Sequence, residues 1–295
     1  MKKQIIISLL VLLFVSCEQV VEKVPLDIIS DSQLWNDENL VDAYTANIYD
    51  RTFDVIWDHG MGAPLVALTD EARSCLGWAP VLNIYTLGVI NPANVGNSGH
   101  FVPLWDYSTI RSCNEFLQKI EEGDLPDEYV LQRSAEIRFL RAYLFFNMAM
   151  RYGGVPLITE PQSLDDDLFV SRNTEEEIYE FVRTELDDVI EILPGTHPNQ
   201  EYARATSYAA LALKSRSMLY AGSIARYGQM GLDNILGVPA ERADFYFQEA
   251  YSAAKQVIEE GPFALFDQYP DKALNYQRLF LAKNHEEVIM AKKYQ

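Results

Sequence analysis

The chain has 295 residues, 48% of them hydrophobic and 23% charged, which is the composition of a folded globular protein. It excludes a disordered chain, a collagen and a polytopic membrane protein. The 24 Lys and Arg stand against 43 Asp and Glu, and a net charge of −19 repels phosphate backbones, which excludes nucleic acid as a partner.

Residues 1–16 read as a lipoprotein signal peptide. Met1, Lys2 and Lys3 make a positive start, and Ile5 to Val15 is an apolar run broken only by Ser8. A helix of that length reaches about 16 Å, short of a bilayer core of about 30 Å. Ser16-Cys17 follows directly, and a small residue before a cysteine at this offset resembles the bacterial lipoprotein processing site. Residues 17–30 are then a lipidated Cys17 and a tether. Acyl chains on Cys17 would hold a soluble domain on a membrane without a spanning helix.

Ser32 is placed to cap a helix running through Leu34, Leu40, Ala43, Ile48 and Tyr49. Residues 53–103 are punctuated by Gly and Pro and predict a long irregular region, usually functional in a compact domain. A helix from about Leu104 to Ile120 follows and ends near Gly123. Cys113 falls at helical spacing with Ile110, Leu117 and Ile120, which favours a buried free thiol. The exported compartment also permits a disulfide with Cys75. Trp35 and Trp105 sit on amphipathic helices and are assigned to the core.

Asp127 is positioned to cap a helix that runs to Tyr152, where Gly153 and Gly154 end it and Pro156 blocks continuation. From Phe139 to Met150 only Arg141 and Asn147 are polar, so this helix is buried nearly all round. Arg141 then needs a structural ion pair inside. Thr174 and Glu177 have the spacing of a capping box. The helix they open carries Ile178, Phe181, Val182, Leu186, Val189, Ile190 and Leu193 on one face. Thr206 to Ile224 packs Ala209, Ala210, Ala212, Ser215, Ser217 and Ala221, and a last helix spans about Ala243 to Glu260 with Ala250, Tyr251, Ala254, Val257 and Ile258.

Laid side by side, 130–152 with 174–193 and 206–224 with 243–260 are two helix pairs of similar build, a degenerate match to the tetratricopeptide repeat. The fold class expected is mainly all-α, with stacked helix pairs and long irregular loops forming a one-sided scaffold. Glu286 to Gln295 reads as an apolar, strand-like segment.

The sequence offers no catalytic residues, no metal site and no cofactor site. His59, His100, His197 and His285 are scattered without metal-ligand spacing. No C-x-x-C, nucleophile elbow or phosphate-binding glycine loop occurs. Asp165-Asp166-Asp167 lacks the central glycine of a calcium loop and reads as a solvated acidic loop. A glycosidase needs only two carboxylates about 5–10 Å apart, so a lipid-anchored glycan hydrolase stays open as an alternative. So does a helical-repeat assembly lipoprotein that binds only protein partners.

Ala135-Glu-Ile-Arg-Phe-Leu-Arg-Ala-Tyr-Leu-Phe-Phe-Asn147 and Arg151-Tyr-Gly-Gly-Val-Pro-Leu-Ile158 resemble the signature stretch of the SusD/RagB family. Further segments agree in order: Cys17 with Val24-Pro25-Leu26, Trp35, Thr69-Asp70-Glu71, Trp105-Asp-Tyr107 with Asn114, Ala205 to Ala221, and Tyr251 to Ile258. The resemblance implies a SusD-like, non-catalytic binding lipoprotein on the cell surface of a Bacteroidetes-type Gram-negative bacterium. It would capture oligosaccharides, or in some members peptides, and deliver them to a partner TonB-dependent transporter in the outer membrane. Family members are longer, so residues 31–270 read as a SusD-like N-terminal helical-repeat domain. Residues 271–295 read as the start of a truncated C-terminal region. An excess of acid favours neutral glycans as cargo.

Sugars stack their C–H faces on exposed aromatic rings, with polar side chains reading the hydroxyls. The irregular region supplies Trp78 between Gly77 and Pro80, a turn setting that presents its ring. Arg73, Asn83 and Tyr85 complete the candidate ligand-binding set, with Trp57 and Asp70 nearby. The alternative for each aromatic is packing of the loop against the helices.

Overall fold

The computed structural model describes residues 31–53, 88, 105–198, 201, 203–282 and 285–292. The signal peptide, Cys17, the tether and most of the Gly- and Pro-rich region lie outside the described residues. So does Cys75.

The first expected helix is two. α1 (Asp31–Leu34) and α2 (Glu38–Phe53) are separated by a turn at Trp35 and Asn36. Asp37, not Ser32, caps the longer helix: its Oδ1 accepts from Asn39 N at 2.8 Å. The buried Trp35 ring occupies the break, tilted on Tyr44 at 5.6 Å and edge-on to Phe116 at 5.5 Å.

α3 (Tyr107–Lys119) is capped by Asp106, whose Oδ1 accepts from Thr109 N at 3.0 Å. A 3-10 turn (Ile120–Glu122) carries it to Gly123. Cys113 is a free thiol and fully buried, and that burial pushes its pKa up to about 12. α4 (Asp127–Tyr152) is the 26-residue axis of the fold, about 39 Å long. Its cap is Pro126, with no side-chain bond; Asp127 is the first helical residue, where its charge suits the positive end of the helix. The buried residues between Phe139 and Ala149 surround the helix, as the sequence predicts. Gly153 ends it with φ of +71°, a conformation L side chains rarely adopt.

α5 (Glu175–Ile190) opens on the expected capping box: Glu177 N donates to Thr174 Oγ1 at 3.2 Å, and Thr174 N to Glu177 Oε2 at 2.8 Å. α6 (Ser207–Tyr227) is capped by Thr206 and buries Ala209, Ala210, Ser217 and Ala221. α7 (Ala243–Glu260) turns Tyr246, Ala250, Ala253 and Val257 inward. Tyr251 and Ile258 are exposed on its far side, so the inward stripe is narrower than its apolar residues suggest. α8 (Lys272–Leu279), capped by Asp271, lies where the sequence predicts no helix.

Each helix from α4 to α7 packs on the next, and one hydrophobic core runs through the stack from Trp35 to Ala250. Among the described residues the architecture is all-α and tetratricopeptide-repeat-like. The strand-like reading of Glu286 to Gln295 fails over the described residues 285–292, which are turn and coil. Ile289 and Met290 pack on the core there, and among the described residues no neighbouring strand offers pairing. Among the described residues, no helix is long and apolar enough to cross a membrane.

Candidate ligand-binding face

Two buried ionic clusters fix the frame. In the first, Arg141 Nη2 meets Glu185 Oε2 at 2.8 Å, and Arg141 Nη1 donates to Asn114 Oδ1 at 2.9 Å and Thr159 O at 3.1 Å. Arg138 shares Glu185 at 2.8 Å and reaches Asp188 at 2.6 Å. Arg141 is thus the structural ion pair expected from its place in an apolar helix.

In the second, the fully buried Glu136 receives Arg133 at 2.7 Å, Arg204 at 3.1 Å and the Tyr49 hydroxyl at 2.8 Å. Asp42 joins through Arg133 at 2.7 Å. Burial pushes the Asp42 carboxyl up, but Arg133 and Arg204 outweigh it and hold the carboxyl below its ordinary range. The Tyr49 phenol is pushed well up by burial and by Glu136. Every charge in these clusters is consumed in holding α2, α4, α5 and the approach to α6 together.

The surface above this frame is different. Trp105 borders the Gly- and Pro-rich region, outside α3, and is 46% exposed. Its assignment to the core is therefore wrong: α3 begins only after the Asp106 cap, so Trp105 precedes the helix. The ring lies edge-on to Tyr152 at 5.2 Å and tilted on Tyr107 at 5.4 Å. The Tyr107 hydroxyl donates to Pro156 O at 2.6 Å, and burial pushes its pKa up. Arg172 borders the group, donating to Gly154 O at 2.7 Å and to Tyr152 O. On the other side Arg51 donates to Ser108 and Ser112, both at 2.9 Å.

The result is an aromatic platform held from below, edged by guanidinium and hydroxyl groups, at the margin of residues 54–104. Such a surface can stack a sugar ring and bond its hydroxyls. A concavity of about 210 Å³, lined by Tyr49, Phe53, Arg204 and Met290, lies at the other margin, beside Phe53. Trp78, Arg73, Asn83 and Tyr85, together with Trp57 and Asp70, lie outside the described residues. The sequence reading missed Trp105 as a surface residue. The signal was present, since Pro103 precedes it and the capping Asp106 follows it. Among the described residues no group of three or more metal-binding side chains occurs, and Asp165 to Asp167 are exposed.

A SusD-like family model, described as starch-binding and associating with the outer membrane, matches residues 88–219. A SusD-like protein of Bacteroides ovatus is 23% identical over 300 residues, covering 99% of this chain and 50% of the relative. A SusD-like crystal structure from Bacteroides fragilis is 24% identical with a TM-score of 0.68, covering 92% of this chain and 48% of its own. A laminarin-binding SusD-like protein has a TM-score of 0.59 at 19% identity, covering 79% and 46%. This chain spans about half the length of these relatives. Residues 88–219 match the SusD-like family model, and the chain as a whole is similar in sequence and fold to SusD-like proteins.

Proposed function

We propose that the protein is a non-catalytic, substrate-capturing lipoprotein of the outer membrane, anchored through a lipid on Cys17. It binds neutral oligosaccharides and delivers them to a partner TonB-dependent transporter. Residues 31–270 serve as the helical-repeat scaffold, and Trp78, Arg73, Asn83 and Tyr85 supply ligand contacts beside the Trp105 platform. The observation that carries the reading is the exposed Trp105 ring, backed by the half-buried Tyr107 and Tyr152 at the edge of the Gly- and Pro-rich region, in a chain that matches the SusD-like family model over residues 88–219. The laminarin-binding relative supports a glycan as the ligand class. The outer-membrane association in the family description supports the location.

Calorimetry of the purified protein against neutral glucans, xyloglucan fragments and maltooligosaccharides tests this. Saturable heat with at least one glycan, and no shortened product on prolonged incubation, is the expected result. Absence of heat across the panel overturns glycan capture, and release of shorter products overturns the non-catalytic assignment in favour of a hydrolase.

A further inference from the structure

The connection from α6 to α7 holds a left-handed turn. Leu232, Asp233 and Asn234 follow one another with φ of 49°, 53° and 68°. A run of non-glycine residues in this region is rare, and Leu232 has no polar side chain to favour it there. The turn is closed at its base by Gly231 and Leu236, each N–H donating to the other's carbonyl, at 2.9 and 3.1 Å. Leu232, Asp233 and Asn234 are all exposed, so side-chain packing does not hold the conformation.

Backbone bonds to two other elements hold it. Asn234 O accepts from Glu175 N at 3.3 Å, a donor that the start of α5 leaves unpaired. Ile235 O accepts from Gly154 N at 2.6 Å, just past the end of α4. A third bond runs the other way: Gly237 N donates to Glu175 Oε2 at 2.6 Å. Glu175 is 6% exposed, and among the described residues no basic side chain pairs with it. Burial pushes its carboxyl up, against the pull of the Gly237 N–H. A buried carboxylate without a cation is costly, and what this one holds is the strap formed by residues 231–237.

The strap closes over the turn that ends α4. A Cβ on Gly153 would lie 2.5 Å from Leu236 Cδ2 and 2.7 Å from Ile235 O, so the strap meets the Gly153 backbone directly. The connection from α4 to α5 leaves here and returns at Asn173, whose N donates to Val155 O at 3.0 Å where the two stems cross. Arg172, on the return stem, donates to Gly154 O at 2.7 Å and to Tyr152 O. Tyr152 is the last residue of α4, and its ring meets that of Trp105 at 5.2 Å. We infer that the strap positions the Trp105 platform, with Glu175 as the positioning residue. Its N–H and carboxylate hold the left-handed turn, and the turn's Ile235 carbonyl holds the Gly153–Gly154 junction from which Tyr152 meets Trp105. Only the effect on glycan affinity rests on the capture reading; the positioning itself needs no glycan.

The test labels the full chain with 5-fluorotryptophan and follows the fluorine resonances of Trp105 and Trp35, assigned through Trp105→Phe and Trp35→Phe. Glu175→Ala should move the Trp105 resonance by more than its linewidth and leave that of Trp35, packed on Tyr44 and Phe116, in place. Glu175→Gln keeps an oxygen that accepts from Gly237 N and should restore the wild-type position. The turn is tested separately at the exposed Leu232. Leu232→Val puts a β-branched residue at positive φ and should displace Trp105 as Glu175→Ala does, whereas Leu232→Gly, at ease at that φ, should not. In calorimetry with a glycan that binds the wild type, Glu175→Ala and Leu232→Val should each weaken affinity about fivefold. A Trp105 resonance unmoved in both variants overturns the inference. So does one that moves together with Trp35, the mark of general loosening, and so does a Glu175→Gln variant that fails to restore it. A moved Trp105 resonance with unchanged affinity upholds the strap and fails the platform as a binding surface. A wild type that binds no glycan fails the capture reading, and the fluorine resonances still decide the strap.

Discussion

Arg141 in α4 and Glu185 in α5 meet at 2.8 Å with both side chains less than a tenth exposed, and this contact locks the two helices of the first repeat together. Removing one member leaves the other charged and buried. Arg141→Met should therefore cost about 3–5 kcal/mol in urea unfolding. Glu185→Met should cost as much, because Arg141 loses its carboxylate and Arg138 loses one of its two. Combined, the two replacements should cost clearly less than the sum of the singles, since the double variant strands fewer buried charges. Strict additivity would show that the pair is not coupled.

Acid should unfold the protein partly through Asp42 and Glu180. Burial pushes both carboxyls up, but their partners win: Arg133 and Arg204 for Asp42, and Tyr246, Arg183 and Arg242 for Glu180. Both folded-state values lie below the ordinary 3.8 and 4.5. A lowered carboxyl contributes stability that is complete above its ordinary value and lost as pH falls through the lowered one. The melting temperature should thus fall steeply below about pH 4. Asp42→Asn with Glu180→Gln should flatten that fall while lowering stability at pH 7. An acid limb of unchanged slope would assign the loss to other groups.

Gly154 sits where the two stems of the α4–α5 connection cross. A Cβ there would lie 1.9 Å from Asn173 O, a backbone atom that cannot swing aside. Gly154→Ala should cost about 1–3 kcal/mol, the range for forced overpacking. Gly231→Ala is the control: its nearest neighbour would be Leu236 Cβ at 3.9 Å, ordinary contact, and the change should stay within about 0.5 kcal/mol. Thermal melts of the two variants compare them directly.

What the sequence made legible was local chemistry. The Thr174–Glu177 capping box, the Gly153 stop and the buried stretch of α4 each follow from residues within a turn or two of one another. The need for a partner to Arg141 was legible too, but not its identity: Glu185 is 44 residues away and brought near only by the stacking of α5 on α4. The errors have the same origin. Trp35 and Trp105 both read as helix-face core residues. Asp37 and Asp106 restart the helices just beyond them: Trp35 is in the core as expected, but in a turn and not on a helix face, whereas Trp105 is at the surface. Helix α8 escaped notice because none of its residues is buried, so it has no apolar face to announce it. The proposed contacts Trp78, Arg73, Asn83 and Tyr85 rest on turn chemistry and residue type alone.

The two tryptophans give the sharpest test of where a glycan stacks. Trp105 already shows 46% of its surface, and Tyr107 and Tyr152 keep their anchorage without it, through Pro156 O for Tyr107 and the end of α4 for Tyr152. Trp105→Ala should therefore leave folding nearly intact. If a sugar ring lies on the platform, affinity should fall by about 2 kcal/mol, close to thirtyfold, as for a central aromatic anchor. Trp78→Ala should produce a similar loss. Trp35→Ala is the structural contrast: that ring is buried between Tyr44 and Phe116, and its removal should cost about 3–5 kcal/mol of stability. Its affinity, measured where it stays folded, should be unchanged. Calorimetry with the best glycan of the panel separates the outcomes. A loss at Trp78 alone would confine the site to residues 54–104 and remove the platform from it. A loss at both would make the platform one wall of a site whose other wall is the Trp78 turn.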